Sequence, residues 1–155
     1  MVARRDDSDG ARRRERQKPV MNAKVRAFLD EPRFAVLATL NADGMAQQTV
    51  MWYRLDGDHV MMNTARGRKK DLNLLHDRRA SICVEDGYRY VTIAGETELI
   101  DDQERAQADI KALAIRYHGQ ERGEEMARDQ FSQQERVTVL LSVSHVIANG
   151  FGGDD

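Results

Sequence analysis

Residues 58–84, DHVMMNTARGRKKDLNLLHDRRASICV, constrain this chain more than any other stretch. The pattern predicts a strand, a basic loop, a short helix and a second strand. The first strand covers residues 59–63 and ends at Thr64; the loop is residues 65–70; residues 79–84 open the next strand. The intervening helix is expected to turn Leu72, Leu74 and Leu75 inward. Four cations, Arg66, Arg68, Lys69 and Lys70, fall within five residues, beside a strand-end hydroxyl and a glycine. Such a loop can cradle a phosphate. A helix N-terminus offers free N–H groups and a partial positive charge, and Lys and Arg add charge-assisted hydrogen bonds. A solvated basic turn has the same composition, so the loop alone leaves both readings open.

The flanking sequence supplies strands that join as hairpins. Residues 20–29 place Val20, Met21, Val25, Phe28 and Leu29 near one helical face, and Pro32 closes that helix. Residues 34–40, FAVLATL, read as a buried strand, and Asn41-Ala42-Asp43-Gly44 as a turn. Residues 47–55 form a second strand, and Asp56-Gly57 is a two-residue hairpin signal leading to the third. These three are expected to make an antiparallel meander. Residues 79–84 and 88–100 flank the turn Asp86-Gly87; the second is long for one strand, and Gly95 in its middle suggests a bend. Asp101 or Asp102 caps the next helix, whose apolar stripe is Ala106, Ile110, Leu113, Ala114 and Tyr117, and Gly119 ends it. A charged helix over residues 121–131 follows, anchored by Met126 and Phe131. Residues 136–147 alternate as a last strand, with both faces partly covered. The expected fold is therefore mainly β with α (α+β), a six-stranded antiparallel barrel with peripheral helices.

Charge and cysteine usage narrow the function. Net charge is −2 but uneven: residues 1–20 hold seven Lys/Arg against four acids, a net of +3, leaving −5 for the rest. A mildly acidic body argues against a nucleic-acid binder, and residues 1–20 read as a disordered or extended leader. No run of about 18 apolar residues exists to span a membrane, and no apolar segment near the N-terminus marks a secretory signal. Cys83 is the only cysteine; it reads as a small core residue, and its solitude suits the cytoplasm. The four histidines, His59, His76, His118 and His145, show no metal-ligand spacing, so no metal site is expected. There is no HExxH, GxSxG, Walker loop or GxGxxG. No catalytic side chain can be assigned; an enzyme of this sequence would need a bound cofactor to carry the chemistry.

Four segments together resemble one superfamily: FAVLATLNADGMAQQTVMWY (34–53), MMNTARGRKKDLNLLHDRRASICV (61–84), YVTIAGETELI (90–100) and LLSVSHVIANGF (140–151). The chain resembles the flavin- and deazaflavin-binding split β-barrels of the pyridoxamine 5′-phosphate oxidase type, and within them the actinobacterial reductases that use coenzyme F420. The resemblance implies a six-stranded split barrel over residues 21–151. It implies a homodimer with the cofactor in a groove between subunits, and a small electron-poor molecule as hydride acceptor. By the same resemblance Arg68, Lys69 and Lys70 grip the cofactor phosphate, with Thr64 and Asn73 assisting. Val50, Met51 and Trp52 lie against the ring, Trp52 as a stacking or wall residue; a half-buried core tryptophan is the alternative. Lys24, Arg26 and Arg33 are candidates for the polyglutamate tail of F420. The C-terminal Arg/His motif of true pyridoxamine phosphate oxidases is missing, so that substrate is not expected. FMN users carry an extra Arg and Lys on the second strand, where this chain has QQTVMWY and Arg54 alone. F420 is thus the expected cofactor, with FMN, or a non-enzymatic cofactor binder, as the alternative.

Overall fold

The computed structural model describes residues 21–152. The leader expected over residues 1–20, and Val20 with it, lies outside the described residues. The elements run α1 (Ala23–Asp30), β1 (Ala35–Leu40), β2 (Ala46–Met51), β3 (Arg54–Asp56), β4 (His59–Ala65), α2 (Lys69–His76), β5 (Arg79–Glu85), β6 (Tyr90–Ile100), α3 (Gln103–His118), α4 (Gln120–Asp129), a 3-10 turn (Phe131–Gln133), β7 (Arg136–Ser142) and β8 (His145–Asn149). The strands pair in the order β2-β1-β5-β6-β7-β4-β3, with β8 added beside β6. Every pairing is antiparallel. The fold is α+β: a curled antiparallel split barrel with helices at its periphery.

Among the described residues the strand count is eight rather than six, because two expected strands each break in the middle. Residues 47–55 divide into β2 and β3 at Trp52-Tyr53, and residues 136–147 divide into β7 and β8 at Val143-Ser144. The expected three-stranded meander is also absent. β2 pairs with β1 while β3 pairs with β4, so the chain steps at Trp52-Tyr53 from one edge of the sheet to the other. That step removes Tyr53 from any ladder, and its backbone needs another partner. The Tyr117 hydroxyl of α3 supplies it, accepting the Tyr53 N–H at 3.1 Å and donating toward the Arg33 carbonyl.

β6 is the hinge between the two halves. Residues up to Glu96 pair with β5, and Thr97 to Ile100 pair with β7. Gly95 sits at the change of partner, as its position in an overlong strand suggested. A Cβ there would lie 2.0 Å from the Ser142 carbonyl oxygen, so only glycine permits the crossing. Gly123 has the same role between α3 and α4, where a Cβ would meet the Ile115 backbone at 2.5 Å.

Two cores result. The barrel interior is filled by Leu37, Tyr53, Val60, Met62, Ile82, Ile93, Val139 and Leu141, and α1 closes it with Val25, Phe28 and Leu29. Asn22 caps α1, accepting the Val25 N–H at 2.9 Å. The last carbonyls of α1 receive donors from elsewhere, since a helix leaves four of them unpaired. Arg116 reaches Asp30 and Leu29, and the Tyr53 hydroxyl reaches Leu29 at 2.9 Å. The second core lies outside the barrel, where Ile110, Leu113 and Ala114 of α3 cover Met61 and Leu140. β7 therefore has helix on one face and barrel interior on the other, as its near-continuous burial shows.

Two expectations about burial fail. In α2 only Leu74 turns inward; Leu72 and Leu75 are more than half exposed, and Asp71 and Asn73 take the buried positions. Cys83 is half-buried on the outer face of β5, not in the core.

Candidate functional site

The loop between β4 and α2 is held open by its own acid. Asp71, fully buried, accepts the Gly67 N–H at 2.8 Å and an Arg66 hydrogen bond at 3.3 Å. Arg66 also reaches Asp101 at 3.1 Å. One of the four loop cations is thus spent on structure. Arg68 stands at the N-cap of α2 with no capping hydrogen bond from its side chain. Lys69 is exposed on the first turn, and Lys70 is half-buried.

Arg68 and Lys70 enter a cleft of about 350 Å³, a size within the range of small-molecule sites. Six of the eight residues expected at the cofactor line it together: Val50, Met51, Trp52, Thr64, Arg68 and Lys70. Lys69 does not line it. Nor does Asn73, whose amide donates to Asn41 at 2.9 Å and to Thr39 at 3.1 Å, pinning α2 to β1 and the turn after it. Lys24, Arg26 and Arg33 are also elsewhere; their side chains reach the carbonyls of Phe151, Gly57 and Phe28.

The cleft has an apolar half and a basic half. The apolar half is Phe34, Val50 and Trp52, backed by Ile110, Leu113, Met126 and Phe131. Trp52 stacks on Tyr117 with ring centroids 5.5 Å apart and stands edge-on to Phe131. Phe34 stacks on the same tyrosine at 5.8 Å. Trp52 is therefore both a wall of the cleft and a member of the outer core, held at a fixed angle by its neighbours. Val50 and Phe34 are more than 60% and about 60% exposed at the rim.

The basic half contains a residue that the sequence reading missed. Arg136, the first residue of β7, is only 6% exposed and lines the cleft with Arg68, Lys70, Asn63 and Gln134. Among the described residues no Asp or Glu lines the cleft. Burial, and then the like charge of Arg68, lowers the Arg136 pKa to about 10, so it stays protonated at neutral pH. Burial also lowers the Lys70 pKa, with Arg68 and Arg136 adding to the shift. Three cations thus converge without a carboxylate among the lining residues, an arrangement that favours an anionic guest. A lone Arg before an alternating strand gives little warning of this; its burial arises from α3 packing across β7. Among the described residues there is no cluster of three or more His, Cys, Asp or Glu placed for a metal ion, and His145 is exposed on β8, away from the cleft.

Residues 21–146 match the family described as pyridoxamine 5′-phosphate oxidase. The chain belongs to that family. Solved structures agree on the fold. A conserved hypothetical protein from Mycobacterium tuberculosis superposes with a TM-score of 0.73 at 25% identity, covering 88% of this chain and 95% of that one. A protein described as an F420 reductase superposes with a TM-score of 0.67 at 25% identity, over 83% of this chain and 98% of that one. The flavocytochrome Anf3 from Azotobacter vinelandii shares the fold at 16% identity, with a TM-score of 0.66 over 88% of this chain and 72% of that one. No curated protein matches the chain in sequence. Fold and family are those of oxidoreductases of the pyridoxamine 5′-phosphate oxidase kind. Among the described residues no helix is long and apolar enough to cross a membrane.

Proposed function

We propose that this member of the pyridoxamine 5′-phosphate oxidase family is an F420H2-dependent reductase acting on a small electron-poor acceptor in the cytoplasm. The observation that carries the reading is a cleft in which an aromatic wall faces converging cations. A tricyclic ring suits Val50, Met51 and Trp52; an anionic tail suits Arg68, Lys70 and Thr64. The likeness to an F420 reductase along nearly that protein's whole length supports the deazaflavin over other rings. Bound F420H2 would supply the hydride. The chain's own residues would hold the ring against Trp52, neutralise the tail and exclude water from the acceptor side.

The molecule acts as a homodimer in this reading. Registered across the sheet, Val50, Val36, Cys83, Thr92 and Ile147 form one row on the outer face. Val50 and Ile147 on that row are more than 60% exposed. A row of this kind, ending at the cleft rim, suits a second copy that covers it and walls the cleft at once.

FMN is the second reading, favoured by buried Arg136 as a third cation in the cleft, because a phosphate monoester carries more charge than the diester of F420. Titrating the protein with F420 and with FMN, and following the fluorescence of Trp52, the sole tryptophan, separates the two. Saturable quenching by F420, followed by hydride transfer to an acceptor panel, is the expected result. Binding of FMN without binding of F420 would defeat the deazaflavin assignment.

A further inference from the structure

We infer that Arg136 anchors the anionic end of the cleft: it forms, with Arg68 and Lys70, one site for a phosphate group, and is aimed there by a buried relay running from Asp109 through Thr138 and Asn63. The inference rests on the cofactor reading above but adds a residue and a positioning chain that the loop alone does not contain.

The relay has one polarity. The Asp109 carboxylate, 7% exposed, can only accept, and it accepts the hydrogen bond donated by the Thr138 hydroxyl at 2.7 Å. With its proton committed, the Thr138 oxygen is left as an acceptor and receives the Asn63 amide N–H at 3.3 Å. The second amide hydrogen of Asn63 goes to the Ala106 carbonyl at 2.9 Å. Both donors being used on that side, the Asn63 carbonyl oxygen must face the other way. There it accepts the Arg136 Nε–H at 2.9 Å. Arg105 holds the far end, donating to Asp109 at 2.9 Å.

The guanidinium is therefore fixed but not neutralised. Its Nε and Nη1 donate to amide oxygens of Asn63 and Gln134, and its plane lies over the Phe131 ring, 5.0 Å from the centroid. Nη2 makes no hydrogen bond among the described residues, and the residue lines the cleft. A charged guanidinium held this far from water by neutral acceptors is costly unless an anion completes it. Its planar fork matches the oxygens of a phosphate, and Arg68 and Lys70 supply further charge from the loop side. The shared chemistry is a phosphate ester, either the monoester of FMN or the diester of F420.

The test pairs each phosphate-bearing ring with the same ring lacking phosphate: FMN with riboflavin, and F420 with its dephosphorylated ribityl deazaflavin. Affinities are read from Trp52 quenching in the native chain and in Arg136→Gln and Arg136→Lys. The expected result is a loss of about tenfold or more for the phosphate-bearing member in Arg136→Gln. Arg136→Lys should fall between, and the phosphate-free member should change by less than about twofold. Thr138→Val, which frees the Asn63 amide to turn, should lose part of the same affinity. Equal loss for both members of a pair, or no loss for either, overturns the inference while leaving the cofactor reading intact.

If no ring binds the native chain, the cofactor reading falls and the anion site is read directly. Pyrophosphate should then raise the melting temperature of the native chain and not that of Arg136→Gln. Equal shifts, or none, overturn the inference. Should Arg136→Gln fail to fold, the comparison is made with Arg136→Lys. In the native chain itself, pyrophosphate should protect Arg136 from phenylglyoxal; unchanged labelling counts against the site.

Discussion

Replacing Gly95 by alanine tests the argument that β6 bends where two backbones touch. The added Cβ would lie 2.0 Å from the Ser142 carbonyl oxygen and 3.1 Å from its carbonyl carbon. An ordinary carbon–oxygen contact is about 3.3 Å, so the strands must separate by about 1.3 Å. Neither partner is a flexible side-chain end that can swing aside. A shift of that size also takes the Ser144 N–H to Ala94 carbonyl bond, now 3.2 Å, out of hydrogen-bonding range. Overpacking of this kind costs about 1–3 kcal/mol, and the lost bond about 1 kcal/mol more. Reduced freedom of the unfolded chain returns about 0.4–1 kcal/mol. The net expectation is a loss of about 1–3.6 kcal/mol, a sizeable part of the roughly 5–15 kcal/mol that a domain of this kind possesses. Urea unfolding followed by far-ultraviolet circular dichroism measures it, with an unchanged slope as the sign that the transition remains two-state. A loss below about 1 kcal/mol would refute the claim that the crossing requires glycine.

Four other outcomes are expected. Tyr117→Phe keeps the ring stack on Trp52 but strands the buried Tyr53 N–H, and should cost about 1–3 kcal/mol in the same unfolding assay; a neutral result would mean that another group satisfies the strand step. Burial raises the Tyr53 pKa from 10.0 to about 12. Its folded-state pKa lies above its unfolded value, so its contribution is whole below pH 10 and is lost as pH rises toward 12. The native chain should lose roughly 2–3 kcal/mol relative to Tyr53→Phe over that window, and absorbance should show one of the four tyrosines ionising last. Lys70→Ala should weaken phosphate-bearing ligands by about tenfold and Lys69→Ala by less than about twofold, because only Lys70 lines the cleft; equal effects would misplace the site. Ile147→Lys should convert a dimer to a monomer by light scattering without lowering monomer stability, since Ile147 is 62% exposed; an unmoved molar mass would count against the outer sheet row as the contact.

Much of the fold was legible because its signals are local. Asp56-Gly57 marked the β3–β4 hairpin, Gly95 marked the bend, and the stripe from Ala106 to Tyr117 marked α3 with its face correctly assigned. The breaks at Trp52-Tyr53 and Val143-Ser144 were not legible, because neither carries a glycine or proline. What ends those strands is a change of partner, a long-range event. Leu72 and Leu75 misled for a related reason. An eight-residue helix carrying apolar residues on two sides does not declare which side packs, and here Asp71 and Asn73 are drawn in by Arg66, Gly67, Thr39 and Asn41.

The candidate site divides along the same line. The sequence by itself determined the strand–loop–helix unit with Thr64, Arg68 and Lys70, since covalent neighbours place those groups together whatever the rest of the chain does. Only the tertiary structure decided that Lys69 and Asn73 stay outside the cleft, that Trp52 meets Tyr117, and that Arg136 is buried opposite the loop. The physical reason is distance along the chain. Arg136 lies 68 residues beyond Arg68, and only the pairing of β7 with β4, register by register, sets Arg136 beside Ala65 and carries its charge into the cleft.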